Sequence, residues 1–153
     1  NIDSVDISVL QTQLDSGLVP VISPLSADDD GTLLNINADT VAAEIASALG
    51  AEKLILATGA PGILENVDDP SSIISYVDIE GLQVLRDNGS LKAGMLPKAT
   101  AIESAIHGGV SRVHMISYKI PNSLLLEIFT NEGTGTLIVK HIEALSAAEQ
   151  GQD

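Results

Sequence analysis

The chain has 153 residues, 7 Lys and Arg against 21 Asp and Glu, and a formal net charge of −14. That length suits one domain able to bury about two thirds of its unfolded surface, and the charge argues against duplex nucleic acid and anionic membrane surfaces as partners. With no cysteine there is no disulfide framework, thiolate zinc site, iron–sulfur cluster or cysteine nucleophile, and 2% aromatic content leaves an aliphatic core of Ala, Val, Ile and Leu.

The chain opens on Asn1 rather than Met, and its first residues through Gln13 read as the interior of something longer, so a fragment or processed product is expected. No apolar run reaches the roughly 18 residues of a membrane helix and no charged-then-apolar leader is present, which predicts a cytoplasmic protein. Val19, Pro20, Val21 and Ile22, between Gly17 and the Ser23-Pro24 pair, are punctuated like a buried strand. Asp28, Asp29, Asp30 and Gly31 then make a hairpin turn. A calcium loop with Gly31 in sixth place would put Ser26 first and Asn37 twelfth, where an aspartate and a bidentate glutamate are needed.

From Ala38 the apolar positions 38, 41, 42, 45, 46 and 49 mark one face of a helix that Gly50 ends. Lys53 to Ala57 is a continuous apolar run, expected as a strand covered on both faces. A Thr58-Gly59-Ala60-Pro61-Gly62 loop follows, then a β-prone piece around residues 73–77. Asp78 is placed to cap a helix running to about Asn88, with Gly89 at its end. Pro97 is placed to open the next helix, whose stripe is Ala101, Ile102, Ala105 and Ile106 and whose end is Gly108-Gly109. Arg112–Ser117 alternates as a strand, Asn122 is placed to cap a helix through Phe129, and Thr136–Val139 is the last strand. Helices alternating with strands at this spacing predict an α/β fold, a three-layer sandwich with a mostly parallel central sheet. One domain over residues 1–145 and a frayed tail over 146–153 are expected.

No Walker A loop, GxGxxG, GxSxG or HExxH occurs. His107, His114 and His141 fall on different elements, so no metal is assigned to histidine. His114, flanked by apolar residues, reads as a satisfied core or edge histidine. Three features remain. Asn35, Asn37 and Asp39 put two amides and a carboxylate at the start of the clearest helix; capping accounts for Asn37 and Asp39 but not for Asn35, which can offer a ligand both donor and acceptor. Lys98 sits in the first turn of a helix, against the positive end of its dipole, and leans toward the sheet. Two readings fit it: an anion to meet, with a phosphate as the natural candidate, or a stem that carries the charge out to water. Glycine loops at 58–62 and 132–136 are placed where open α/β sheets bind ligands, although glycine also serves ordinary turns.

In this order these residues resemble the amino acid kinase family, most closely the C-terminal half of its acetylglutamate kinase group. The likeness runs through Val19-Pro20-Val21-Ile22, Asn35 to Asp39, Leu49 to Leu56, Pro61-Gly62-Ile63-Leu64, Gly94-Met95-Leu96-Pro97-Lys98, Gly109 to His114 and Phe129 to Thr136. It implies phosphoryl transfer from ATP, with Mg²⁺, to the side-chain carboxylate of N-acetyl-L-glutamate in arginine biosynthesis. It further implies that Asn35, with Asn37, holds the acetylglutamate, that Asp39 orients catalytic lysines, and that Lys98 stabilises the transferring phosphoryl group. Gly59, Ala60, Pro61, Gly62, Ile63 and Leu64, with Ser90, Leu91 and Lys92, match segments lining the nucleotide site, and Gly133 and Gly135 match the glycine loop beside it. The family commonly has aspartate where this chain has Gly59, and glycine where it has Ala93. The resemblance also implies a missing N-terminal half, with its own glycine-rich loop and catalytic lysine, and a homo-oligomer in the complete enzyme. The competing reading is a non-catalytic amino-acid-sensing or protein-docking module on a kinase-like fold, which Gly59 favours.

Overall fold

The computed structural model describes residues 2–130 and 133–145. The expected tail over 146–153, together with Asn1, Asn131 and Glu132, lies outside the described residues. In chain order the elements are helix α1 (Ser8–Asp15), strands β1 (Leu25–Ala27) and β2 (Leu33–Asn35), helix α2 (Ala38–Ala48), strands β3 (Lys53–Thr58) and β4 (Tyr76–Asp78), helices α3 (Ile79–Asp87) and α4 (Leu96–His107), strand β5 (Arg112–Ser117), helix α5 (Ser123–Phe129), strand β6 (Thr136–Val139) and a 3₁₀ turn (Ile142–Ala144).

Local chemistry accounts for most boundaries. Asn37 caps α2, its side-chain oxygen accepting from the N–H groups of Asp39 at 2.9 Å and Thr40 at 3.2 Å. Asp78 caps α3 by accepting from Gly81 N–H at 2.8 Å. The acidic turn forms as expected: Asp28 Oδ1 accepts from Thr32 N–H at 2.8 Å, Gly31 takes φ +81°, and β1 and β2 pair antiparallel around them. Pro97 is the second helical residue of α4 rather than the first. Asn122 does not cap α5 through its side chain; it turns the chain into the helix in the left-handed conformation, at φ 60°.

The main sheet has the order β3-β5-β6-β4. β3 and β5 are parallel, with Lys53 opposite Arg112 and Thr58 opposite Ser117; β4 and β6 are parallel; β5 and β6 are antiparallel, with Met115 opposite Thr136. Leu56, Val77, Val113, Met115 and Ile138 face one side, where they pack with Ala43 and Ala46 of α2, Leu82 of α3 and Ala99, Ile102, Ala105 and Ile106 of α4. Leu137 and Val139 face the other, with Tyr76, Ile142 and Leu145. Helices therefore cover both faces of a mostly parallel sheet. No helix among the described residues is long and apolar enough to cross a membrane.

Three expectations fail, for related reasons. Val19 to Ile22 form no strand: these residues have no ladder partner, and Val19 and Val21 are 88% and 97% exposed. β3 is an edge strand in which only Leu56 is buried, not a strand covered on both faces. The strand so covered is β5, where every residue from Val113 to Ser117 is buried and the expected alternation is absent. β5 owes this to its place in the sheet, between β3 and β6 and beneath helices on either side.

His114 is indeed buried, and the second face is held by its partner. His114 Nδ1 lies 2.8 Å from Glu127 Oε1, and Glu127 Oε2 accepts from Thr134 N–H at 2.6 Å, so one carboxylate joins β5, α5 and the loop before β6. Burial acts to raise the Glu127 pKa, but the hydrogen bonds from His114 and Thr134 outweigh it and hold the carboxyl below the ordinary glutamate range.

Two tests follow from this packing. Ile102 is fully buried, and Ile102→Ala should lower the free energy of unfolding by about 2–5 kcal/mol in denaturant titration; a loss under about 1 kcal/mol would mean that α4 is not the core helix described. Because the folded pKa of Glu127 lies below the unfolded value, its stabilisation is complete above about pH 4.3 and is lost as pH falls through the folded value. Glu127→Gln should therefore weaken the decline of thermal stability between about pH 5 and pH 3, whereas equal slopes for the two proteins would refute the pairing.

Candidate functional site

The topology gathers the predicted residues at one end of the sheet. α2 leads back into β3 and α4 into β5, so the N-termini of both helices lie beside the carboxyl ends of these parallel strands. The 59–64 loop leaves β3 there, the α3–α4 connection arrives there, and β6 begins there, opposite Met115. Carboxyl ends of parallel strands are where open α/β sheets hold ligands.

Lys98 finds its anion within the chain. Its ammonium donates to Asp39 Oδ1 at 2.7 Å, across 59 positions of sequence, and the two side chains are 14% and 25% exposed. This contact places a cation and a carboxylate at the joined starts of two helices, whose dipoles point their positive ends at an incoming phosphate. Asn37 spends its oxygen on capping α2 and keeps its amide donors. Asn35 ends β2, exposed and opposite Leu25.

The glycine loops are built to hug the sheet. A Cβ on Gly62 would stand 2.8 Å from Thr136 Oγ1, the atom that accepts the Ile63 N–H at 2.8 Å. Ile63 is buried and Leu64 bridges to Ile73, so these two anchor the loop while Gly59, Ala60 and Pro61 are half-buried at its mouth. A Cβ on Gly135 would run into the Met115 carbonyl, which explains glycine where β6 enters against β5. Gly133 adopts φ +57° beside the Glu127 carboxylate. Between α3 and α4, Leu91 is a core residue, leaving half-buried Ser90 and exposed Lys92 as the polar groups of that segment.

Sequence reasoning missed three residues at or near this end. Glu127 gives no linear signal, since only the fold brings it to His114. Tyr118 and Lys119 directly follow the last residue of β5, a position that by itself marks the ligand end of such a sheet. On the α5 face, a cavity of ≈ 180 Å³ is lined by Tyr76, Arg112, His114, Glu127, Gly133 and Gly135, and His114 Nε2, buried beside it, has no hydrogen-bond partner among the described residues. No group of three or more His, Asp or Glu suited to a metal occurs among the described residues.

Comparison with known proteins agrees with this arrangement. The model of the amino acid kinase family matches residues 1–117. Among characterised relatives, the chain is 50% identical over 136 residues to the acetylglutamate kinase of Caldanaerobacter subterraneus, covering 89% of this chain and 46% of that protein. It is 47% identical over 140 residues to that of Myxococcus xanthus, covering 92% and 46%. The chain thus spans about half the length of the curated relatives it matches. Among solved structures, N-acetylglutamate synthase from Neisseria gonorrhoeae, complexed with coenzyme A and L-arginine, superposes with a TM-score of 0.84 at 29% identity over 92% of this chain and 32% of that one. Carbamate kinase from Giardia lamblia bound to AMP-PNP shares the fold, with a TM-score of 0.68 at 19% identity over 90% of this chain and 45% of that one. A sheet that collects its helix starts and glycine loops at one end, and a family model matched across three quarters of the sequence, have one common source: the chain belongs to the amino acid kinase family.

Proposed function

We propose that residues 1–145 form the nucleotide-binding half of an acetylglutamate kinase, which transfers the γ-phosphoryl group of ATP to the side-chain carboxylate of N-acetyl-L-glutamate in arginine biosynthesis. The observation that carries this reading is the Lys98–Asp39 contact at the paired starts of α2 and α4. Identities of 47–50% to acetylglutamate kinases over about nine tenths of the chain support the choice of substrate. The carboxylate oxygen forms a bond to the γ-phosphorus as the bond to the β-phosphate oxygen breaks; ADP leaves and an acyl phosphate results. Such a transfer needs positioning and charge neutralisation more than covalent help.

In this reading Lys98 donates to the transferring phosphoryl oxygens and Asp39 fixes the direction from which it does so. Asn35 and the free amide donors of Asn37 hold the acetylglutamate. Gly59, Ala60, Pro61, Gly62, Ile63 and Leu64, with Ser90, Leu91, Lys92, Gly133 and Gly135, form the walls of the nucleotide site. The described residues include no carboxylate cage for Mg²⁺ and Asp39 is engaged by Lys98, so no residue is assigned to the ion, which would arrive on the phosphates of ATP. The second half of the enzyme supplies the rest of the acetylglutamate pocket, and we take the whole to be a cytoplasmic homo-oligomer.

In the full-length enzyme, Lys98→Ala should lower kcat by at least about 100-fold while leaving the thermal unfolding midpoint within a few degrees. Unchanged turnover would remove Lys98 from the mechanism. A variant that fails to fold would be replaced by Lys98→Met, which keeps the length of the stem.

A further inference from the structure

We propose that Tyr118 is a nucleotide-contacting residue of this protein, its phenol tip set against Gly59 and its ring the stacking surface for the base. A Cβ built on Gly59 would lie 3.0 Å from the phenol oxygen of Tyr118 and 3.5 Å from its Cζ, with Lys119 Cε at 3.8 Å. The space a side chain at position 59 would take is thus held by Tyr118. The backbone fixes this juxtaposition, because Tyr118 N–H donates to the Thr58 carbonyl at 3.0 Å, extending the β3–β5 register by one step past the strand ends.

Tyr118 is one of only three aromatic residues in the chain. Tyr76 packs in the cluster on the α5 face and Phe129, also exposed, ends α5 away from the strand ends, whereas Tyr118 stands 67% exposed where the carboxyl ends of β3 and β5 meet. An exposed aromatic face there has no packing duty, and aromatic–base stacking is a recurrent way to hold a nucleotide base without reading its edges. Lys119 beside it adds a cation in a chain whose net charge of −14 opposes any polyanion. Gly59 is then glycine because a larger residue would push the ring aside. The proposal rests on the nucleotide site lying at this end of the sheet.

The test is steady-state kinetics of the full-length enzyme with Mg-ATP as varied substrate. Tyr118→Ala should raise the KM for Mg-ATP by about 10-fold, with kcat and the KM for acetylglutamate changed by less than about twofold. Tyr118→Phe, which keeps the ring, should stay within about twofold of the parent. Gly59→Ala should raise the KM a few-fold in the parent, by displacing the ring, and should have no further effect in the Tyr118→Ala background. A KM for Mg-ATP unchanged in Tyr118→Ala, or a Tyr118→Phe defect as large as that of Tyr118→Ala, would overturn the stacking role while leaving the nucleotide site in place. A parent enzyme that neither binds nor turns over Mg-ATP would overturn the site itself, and the stacking role with it.

Discussion

The ion pair between Lys98 and Asp39 depends on how closely α2 and α4 approach, and that closeness comes from small residues. Ala43 and Ala46 on α2 and Ala99, Ala101 and Ala105 on α4 are all buried in one core cluster where the two helices pack together. Alanine at each of these positions lets two helices lie flank to flank, and at the far end Gly108 abuts Ser47 so tightly that a Cβ would not fit. Midway, Ser104 donates to Glu44 at 3.0 Å. Three contacts, pairing 98 with 39, 104 with 44 and 108 with 47, run in the same direction along both helices. α2 and α4 therefore lie parallel, and their positive ends share one end of the molecule. The aromatic-poor composition is the same fact read from the sequence.

Other polar ties hold the remaining segments at that end. Thr136 grips the 59–64 loop through Ile63 N–H. Glu127 secures Thr134 in the loop before β6. Arg86 meets Glu103 at 2.9 Å and thereby joins α3 to α4, which sets the ends of the connection carrying Ser90 and Lys92. Each tie is a single side chain reaching a different element, so the site is shaped by the packing of the whole sheet and not by any one loop. On the proposed reading, the overall negative charge would repel a nucleotide at long range, and helix starts, Lys92, Lys98 and Lys119 are the local donors that would oppose that field.

Most of the helices were legible because their signals are local. The cap at Asn37, the cap at Asp78 and the stripe of α4 need nothing beyond one turn of chain. α1 carried no such signal, since none of its residues is buried. Strand burial was misjudged because an apolar run does not say what lies beside it: β3 has an open edge, β5 has neighbours on both sides, and residues 19–22 have no strand partner. At the site, Lys98 could be singled out from its position against the helix dipole. Asp39 reads locally as a first-turn acid, and only the family resemblance marked it as a carboxylate that orients lysines; its direct contact with Lys98, 59 positions away, is made by the fold. Glu127 was invisible because its meaning lies in contacts with His114 and Thr134 that only the fold creates, whereas Tyr118 carried the positional signal of following β5 and lacked only its contact with Gly59.

The Lys98–Asp39 contact does not spend the charge before any substrate arrives, as the donor count shows. A lysine ammonium carries three hydrogens and no acceptor, and Asp39 takes one of them through a single oxygen. Two donors remain, on a stem held at one end by α4 and at the other by that carboxylate. A lysine with no partner would have to surrender the freedom of four rotatable bonds on meeting a phosphoryl group, whereas Lys98 has given most of it up in the folded chain. The pair thus converts a flexible cation into a fixed one, at the point where two helix starts already favour an anion. Preorganisation of this kind acts hardest on charge that develops during the reaction, since the donors need not move to meet it.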